Sequence, residues 1–144
     1  MRKNILFLSV SCISLFSCKK LNDNIPTSLE GKWKMISVKD IATGNSISKP
    51  SSVTGEVLIT FKQIDATNGT FYGNTPANEV WENDYSISSN QFLTIPQLAM
   101  TKVGERDWGN YFSANIEDAT SYLFLNGSKL NIITDKKNLI FVKQ

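Results

Sequence analysis

Residues 122–142 read YLFLNGSKLNIITDKKNLIFV, which is three apolar runs separated by two short polar links. The runs span residues 122–125, 130–133 and 139–142, and the links contain Asn126-Gly127 and residues 135–138. Apolar runs of this length that are bounded by turn residues predict β-strands. Because links this short cannot cross over a sheet, neighbouring strands must run antiparallel. The last part of the chain is therefore expected to form an antiparallel sheet.

Similar patterns predict more strands upstream. They cover residues 34–38, 56–64, 70–72, 80–88 and 91–95, with a long polar loop at residues 40–54 and turn chemistry at Asn68-Gly69. In the strand at 56–64, Val57, Ile59 and Phe61 share one face, which is typical of a sheet with one buried side. Trp33, which precedes the first strand, is expected to plug the core.

The strand at residues 80–88 carries the side chains of most chemical interest. Those expected to face inward are Trp81, Tyr85 and Ile87, and those expected to face water are Glu82, Asp84 and Ser86. A paired-acid or calcium site at Glu82 and Asp84 needs further carboxylates that the sequence does not supply, so a solvated sheet face is predicted. Trp81, Tyr72 and Tyr85 could line a cleft for a sugar or lipid, although core packing is the simpler interpretation.

The apolar period changes from two to between three and four near Glu105. The residues at the new spacing are Trp108, Tyr111, Phe112, Ile116 and Ala119. This stripe predicts an amphipathic helix with Glu105 and Asp107 in its first turn. The whole pattern predicts a mainly β (α+β) fold: a single curled antiparallel sheet or partial barrel of seven to eight strands, with one packed helix.

The amino-terminal segment has the layout of a bacterial leader. Arg2 and Lys3 precede an apolar region at residues 5–16, and the small residue Ser17 stands directly before Cys18. The apolar region is shorter than the roughly 20 residues that a transmembrane helix needs. The segment resembles the lipobox of lipoproteins processed by signal peptidase II, in which the cysteine receives diacylglycerol and its freed amine is then acylated.

That resemblance divides the chain into a signal peptide at 1–17, a lipidated tether at 18–28 and a β domain at 29–144. Cys18 is the expected lipid attachment site, and its acyl chains would be the contact with the membrane. Lys19 rather than Asp follows it, which by resemblance to the lipoprotein sorting rule implies the outer membrane, facing the periplasm. A run of acidic residues after the cysteine, which marks surface export in some groups, is not evident here.

Composition excludes several classes of function. The chain has no histidine, so imidazole catalysis and histidine-ligated metals are ruled out, and an acylated Cys18 leaves no free thiol. The formal net charge of +2 falls to zero once Arg2 and Lys3 are removed with the leader. Without clustered basic residues, nucleic acid is not an expected partner. No catalytic residue, cofactor or metal is predicted, and the protein is not expected to be an enzyme.

Short motifs along the domain together resemble the META domain, the fold of HslJ-like envelope proteins. They are Leu29-x-Gly31-x-Trp33, Gly73-Asn74 leading to Tyr85, residues 95–101, the helix around Trp108 and Phe112, and residues 122–132. The chain departs from many members because it lacks their two cysteines and has a longer interval before Tyr85. The resemblance implies a small envelope domain linked with heat stress and drug tolerance, without an established catalytic activity.

Three functions follow as expectations. The first is an outer-membrane lipoprotein that acts through contacts with envelope proteins, for example in envelope maintenance or stress tolerance. The second is a binder of a small apolar ligand, because Gly31-x-Trp33 also resembles the entry of lipocalin-like barrels. The third is an inhibitor of a cell-wall hydrolase, for which the loops at residues 40–54 and 96–104 are the candidates. If Val57, Ile59, Phe61, Phe112 and Leu130 fill the interior, no ligand cavity of roughly 300 Å³ remains there.

Overall fold

The computed structural model describes residues 28–105 and 107–144, in which nine strands and one α-helix follow one another. The strands are β1 (Gly31–Asp40), β2 (Ser46–Ser48), β3 (Leu58–Gln63), β4 (Asn68–Asn74), β5 (Glu79–Ser88), β6 (Phe92–Thr94), β7 (Ala119–Asn126), β8 (Lys129–Thr134) and β9 (Lys137–Lys143). The helix α1 (Trp108–Ser113) lies between β6 and β7. The predicted leader, Cys18 and the tether up to residue 27 lie outside the described residues.

Every strand pairing in the sheet is antiparallel. Eight strands follow the order β1-β3-β4-β5-β6-β7-β8-β9, and pairing of β9 with β1 closes them into a barrel-like sheet. The ninth strand, β2, is an extra strand that pairs with the second half of β1, so β1 has three partners. The predicted fold class is confirmed. The predicted loop at residues 40–54 proves to contain β2, whose three residues are all exposed and show no apolar period.

Large apolar side chains fill the interior of the barrel. Trp33 is fully buried, and its indole N–H donates to the carbonyl of Leu29 at 2.8 Å. The five side chains predicted to occupy the interior are Val57, Ile59, Phe61, Phe112 and Leu130, and all are 0–1% exposed. The alternation of apolar and polar residues in the predicted strand at 56–64 therefore placed its inward face correctly. None of the described helices combines the length and apolar character needed to cross a bilayer.

The predicted helix is shorter than its apolar stripe. Trp108, Phe112 and Ile116 are fully buried, as the spacing of three and four residues requires. The α-helix ends at Ser113, however, and a 3-10 turn (Ile116–Asp118) follows before Ala119 opens β7. Asn115 between them leaves helical geometry, with φ −128° and ψ −18°. The apolar spacing therefore continues from α1 into the 3-10 turn, but the hydrogen bonds of one continuous helix do not.

The predicted turn at Asn68-Gly69 is wrong by a few residues. Both residues belong to β4, and the chain reverses just before them, where the Asp65 carboxylate accepts hydrogen bonds from the backbone N–H groups of Thr67 and Asn68 at 2.7 and 2.8 Å. These bonds, with the Asn68 side-chain amide, lower the pKa of Asp65 to about 2. Gly69 serves close packing instead, since a Cβ there would lie 2.3 Å from the ring of Tyr85.

Candidate functional site

The two carboxylates singled out from the sequence, Glu82 and Asp84, lie on the outer surface of β5. Both are exposed, as a solvated sheet face predicts, and one Glu82 oxygen accepts a hydrogen bond from the Thr70 hydroxyl at 2.9 Å. Within residues 28–105 and 107–144, no three Asp, Glu, His or Cys side chains gather as metal ligands. The pair therefore forms part of the outer surface of the sheet.

A β-bulge in β5 changes the orientation of Trp81. Phe71 pairs with Asn83 and Gly73 pairs with Val80, so two residues of β5 stand opposite one residue of β4. An extra residue of this kind shifts the alternation by one position, and bulges often redirect a side chain at a functional surface. Val80 and Asn83 consequently turn inward, whereas Trp81 is 52% exposed. The prediction that Trp81 shares the inward face of Tyr85 was wrong for this reason.

The exposed indole lies in a surface concavity of about 380 Å³ on β3, β4 and β5. We call it the Trp81 concavity, and it is lined by Lys62, Tyr72, Gly73, Glu79, Val80, Trp81 and Glu82. The ammonium of Lys62 lies 4.9 Å from the centre of the Tyr72 ring, which is within the range of a cation–π contact. The concavity thus combines two aromatic rings with charges of both signs.

Tyr85, the third aromatic of the predicted group, lies elsewhere. It is 2% exposed and packs edge-on against Phe61 with 5.4 Å between ring centres. Burial, together with Tyr122 and Glu30, raises the pKa of the Tyr85 phenol to about 12. The structure therefore brings Trp81 and Tyr72 together and assigns Tyr85 to the core.

The backbone around Trp81 is fixed by the segment that follows β6. The Trp81 N–H donates to the Ala99 carbonyl at 3.0 Å. The buried side-chain amide of Asn83 donates to the Trp81 carbonyl and accepts from the Ala99 N–H, both at 2.5 Å. These bonds satisfy the backbone groups that the bulge leaves unpaired in the β4–β5 ladder. Trp81 is consequently presented from a rigid support.

A second polar group lies at one end of the barrel around Glu105. The sequence predicted Glu105 in the first turn of the helix, but α1 begins at Trp108 and Glu105 lies in the loop before it. One Glu105 oxygen accepts from the Thr75 hydroxyl and from the Asn78 amide, the latter at 2.8 Å. The Asn78 oxygen in turn accepts from the Val103 N–H at 2.7 Å and the Thr101 hydroxyl at 3.0 Å. These contacts hold the loop before α1 against the β4–β5 turn. The sequence carried no signal for these contacts, because the partners are common polar residues that lie 23 to 30 positions apart.

Other concavities of the described chain are also lined by surface groups. One of about 310 Å³ is bordered by residues 52–54, 76–77 and 104–105, and one of about 390 Å³ lies beside it around residues 98–105. Both adjoin Glu105, whose second oxygen is buried and has no donor among the described residues. Because that carboxylate is held by Thr75 and Asn78, we assign it to loop packing.

Comparison with known proteins addresses the fold alone. No family model matches the chain, and no curated protein matches it. A solved structure, titled the NMR structure of the protein from Burkholderia xenovorans, is similar with a TM-score of 0.53. The match covers 80% of this chain and 82% of that chain at 14% sequence identity. At this identity the similarity shows a shared fold.

Proposed function

We propose that this chain is a non-enzymatic lipoprotein, anchored through Cys18 in the outer membrane and facing the periplasm. Its META-like β domain acts by binding another envelope protein through the Trp81 concavity. A role in envelope maintenance or stress tolerance is what the META resemblance implies. The observation that carries the proposal is the exposure of Trp81. A bulge in β5 turns this large aromatic ring outward, and the hydrogen bonds of Asn83 hold the backbone at that position.

An outward tryptophan in this setting favours a protein contact. Tryptophan is enriched among the few residues that dominate binding energy in protein interfaces. Interfaces also surround an aromatic centre with a polar rim, and Lys62, Glu79 and Glu82 provide such a rim here. Trp33 and Trp108 are fully buried and serve packing, so Trp81 differs from both in what it can contact.

The lipocalin-like alternative has less support. A small apolar ligand would need a cavity inside the barrel, and the side chains expected to exclude it are all 0–1% exposed. The hydrolase-inhibitor alternative rests on loops 40–54 and 96–104. The second loop presents Val103, which is 62% exposed and whose backbone N–H is held by Asn78, next to the exposed Lys102. This pair of side chains resembles ordinary loop surface and has no support comparable to that of Trp81.

The test is photo-cross-linking of the full chain in intact envelopes, with identification of the attached protein. Trp81→Ala should reduce the yield of one specific partner by about 30-fold, the effect of losing roughly 2 kcal/mol at an interface centre. The matched control is Ile64→Ala, which removes another exposed apolar side chain, at 69% exposure, outside the concavity. Trp81→Ala should change the free energy of unfolding by no more than about 0.5 kcal/mol, since its side chain is a surface one.

Metabolic labelling with palmitate tests the anchor separately. The wild-type chain should carry the label and Cys18→Ser should not. Recovery of only bulk lipid and abundant porins, or equal partner yields from Trp81→Ala and wild type, would contradict the contact function. An unlabelled wild-type chain would contradict the anchor.

A further inference from the structure

The strands on opposite sides of the barrel carry opposite charge. β1, β7, β8 and β9 together contain six lysines and a single acidic residue, Asp40. That acid is already paired, with its carboxylate 2.5 Å from the Lys137 ammonium. β3, β4 and β5 contain one lysine and three acids, Glu79, Glu82 and Asp84. In the closed strand order β8 lies diametrically across from β4, so the two charged surfaces face in opposite directions.

The basic side also presents apolar side chains to the outside. Phe92, Leu123 and Leu125 are 55%, 46% and 48% exposed. Phe92 pairs with Ser121, and Leu123 is the next outward residue of β7, so the two are diagonal neighbours on adjacent strands. Ile133, Ile140 and Val142 continue this surface as half-buried residues on β8 and β9. We call the outward residues of β6 to β9 and β1 the basic wall.

Lysines border the apolar part of the basic wall. Strand pairing aligns Lys129, Val142 and Lys34 in one row across three strands. A second row runs from Ile133 through Asn138 to Lys39. Protein segments that bind at the interface of an anionic membrane have this composition, with apolar side chains that enter the interface and lysines that contact the headgroups.

The expected tether joins the barrel at this same wall. β1 begins at Gly31, just after Leu29, which is fully buried. From Cys18 to residue 28 the chain can extend at most about 35 Å at 3.3–3.6 Å per residue. Attachment over so short a span keeps the wall at a high effective concentration near the bilayer, so that weak contacts can hold.

We propose that the basic wall lies against an anionic lipid surface, with Phe92, Leu123 and Leu125 in the interfacial region and the lysines at the headgroups. The proposal rests on the lipid anchor proposed above. In this orientation the Trp81 concavity, on the opposite side of the barrel, points away from the membrane toward the periplasm. The partner surface is then held clear of the lipid that anchors the protein.

The test measures which side of the anchored protein meets lipid. The mature, lipidated chain is reconstituted into phosphatidylcholine vesicles with or without phosphatidylglycerol. Once Cys18 is acylated and the leader is removed, an introduced cysteine is the only thiol to label. Leu123→Cys places a fluorophore on the basic wall, and the matched control Asp84→Cys places it on the exposed opposite side. Quenching by lipids that carry a nitroxide reports contact with the bilayer.

The Leu123→Cys label should be quenched several-fold more than the Asp84→Cys label, and only in vesicles that contain phosphatidylglycerol. Replacing Lys34 and Lys129 by glutamine should weaken the wall contact by about five-fold per lysine, the effect of removing one charge at an anionic surface. Added salt should likewise weaken the contact between the basic wall and the vesicles, because it screens the lysine charges.

Four results would overturn the proposal. Equal quenching of the two labels would show that the wall is not oriented, while palmitate labelling and cross-linking through Trp81 could still support the proposed function. If the Leu123→Cys label were quenched equally in vesicles with and without phosphatidylglycerol, the basic wall would not be recognising an anionic lipid surface. A photo-cross-linker at position 123 that captured a protein in intact envelopes would assign the wall to a protein partner. A chain without palmitate would contradict the proposed anchor and this inference together.

Discussion

The β4–β5 side and the β8–β9 side of the barrel both pack apolar side chains into the core, but their outward-facing residues differ. On β4 and β5 the ladder is interrupted by a bulge, acidic residues dominate and a tryptophan is turned outward. On β8 and β9 the pairing is continuous over five residue pairs, and lysines and aliphatic residues dominate. The inward faces are constrained by the need to fill one core, whereas the outward faces carry no such constraint. The outward faces are therefore where the two sides of the barrel differ, and where the contacts proposed above would be made.

The likeness of the two interiors predicts equal losses from matched truncations. Phe71→Ala on β4 and Phe141→Ala on β9 each remove a fully buried ring, so each should lower the free energy of unfolding by about 3–5 kcal/mol. The control is Phe92→Ala, whose ring is 55% exposed and whose loss should cost no more than about 0.5 kcal/mol. Urea denaturation measures all three. A small loss at only one buried ring would mean that the core is concentrated on one side.

The β4–β5 side of the barrel should be sensitive to substitution at Gly73. A Cβ at this position would lie 1.9 Å from the backbone oxygen of Leu58, which cannot move without separating β3 from β4. Gly73→Ala should therefore cost about 3 kcal/mol, the upper part of the usual range for overpacking. Gly104→Ala is the control, because nothing lies within 4 Å of its ideal Cβ. Equal urea midpoints for the two variants would disprove the close approach.

A smaller effect concerns one carboxyl group on each side of the molecule. The pKa of Asp40, on the basic wall, is lowered to about 2 chiefly by the Lys137 ammonium and then by Thr43. Asp65, in the β3–β4 turn, reaches about 2 through the neutral donors of Asn68 and Thr67. Because folding lowers both pKa values, each carboxylate stabilises the fold fully above about pH 4. That contribution is lost as the pH falls toward 2.

High salt should affect the pKa values of Asp40 and Asp65 differently. In 1 M salt, where the screening length is about 3 Å, the attraction of the Lys137 ammonium weakens, so the pKa of Asp40 should rise part of the way while the Thr43 hydrogen bonds still hold it low. The pKa of Asp65 should not change. Carboxyl-carbon NMR titrations at low and high salt measure both in one sample. Lys137→Gln is the control and should raise the pKa of Asp40 alone. A parallel rise at Asp65 would show that long-range charge, rather than local hydrogen bonding, governs the turn.

Most of the fold could be predicted from two patterns, the alternation of apolar and polar residues and short apolar runs bounded by turn residues. The runs at residues 122–142 predicted β7, β8 and β9 and their antiparallel pairing, and the faces of β3 were assigned correctly. The helix was overextended because its apolar stripe continues through a 3-10 turn into β7, and burial depends on spacing rather than on the hydrogen-bond pattern.

The candidate site was only partly predictable. Trp81 and Tyr72 were singled out as cleft-forming aromatics, but Trp81 was placed inside because strict alternation assumes an uninterrupted ladder. One extra residue reverses that assignment, and the bulge depends on contacts with residue 99, far along the chain. The basic wall was missed because its lysines are scattered over three strands, β1, β8 and β9, and gather only when the sheet closes.

The position of β1 has a mechanical consequence. Its first half is paired with β3 on one side while β9 runs along the other, and the Trp33 indole fastens the carbonyl of Leu29. Traction applied at the amino-terminal end of the domain therefore acts along the length of β1, and the ladder bonds on both flanks share the load. A strand pulled from a sheet edge would instead lose its bonds one after another. A tether attached at this point would transmit force to the domain without breaking the strand pairs one after another.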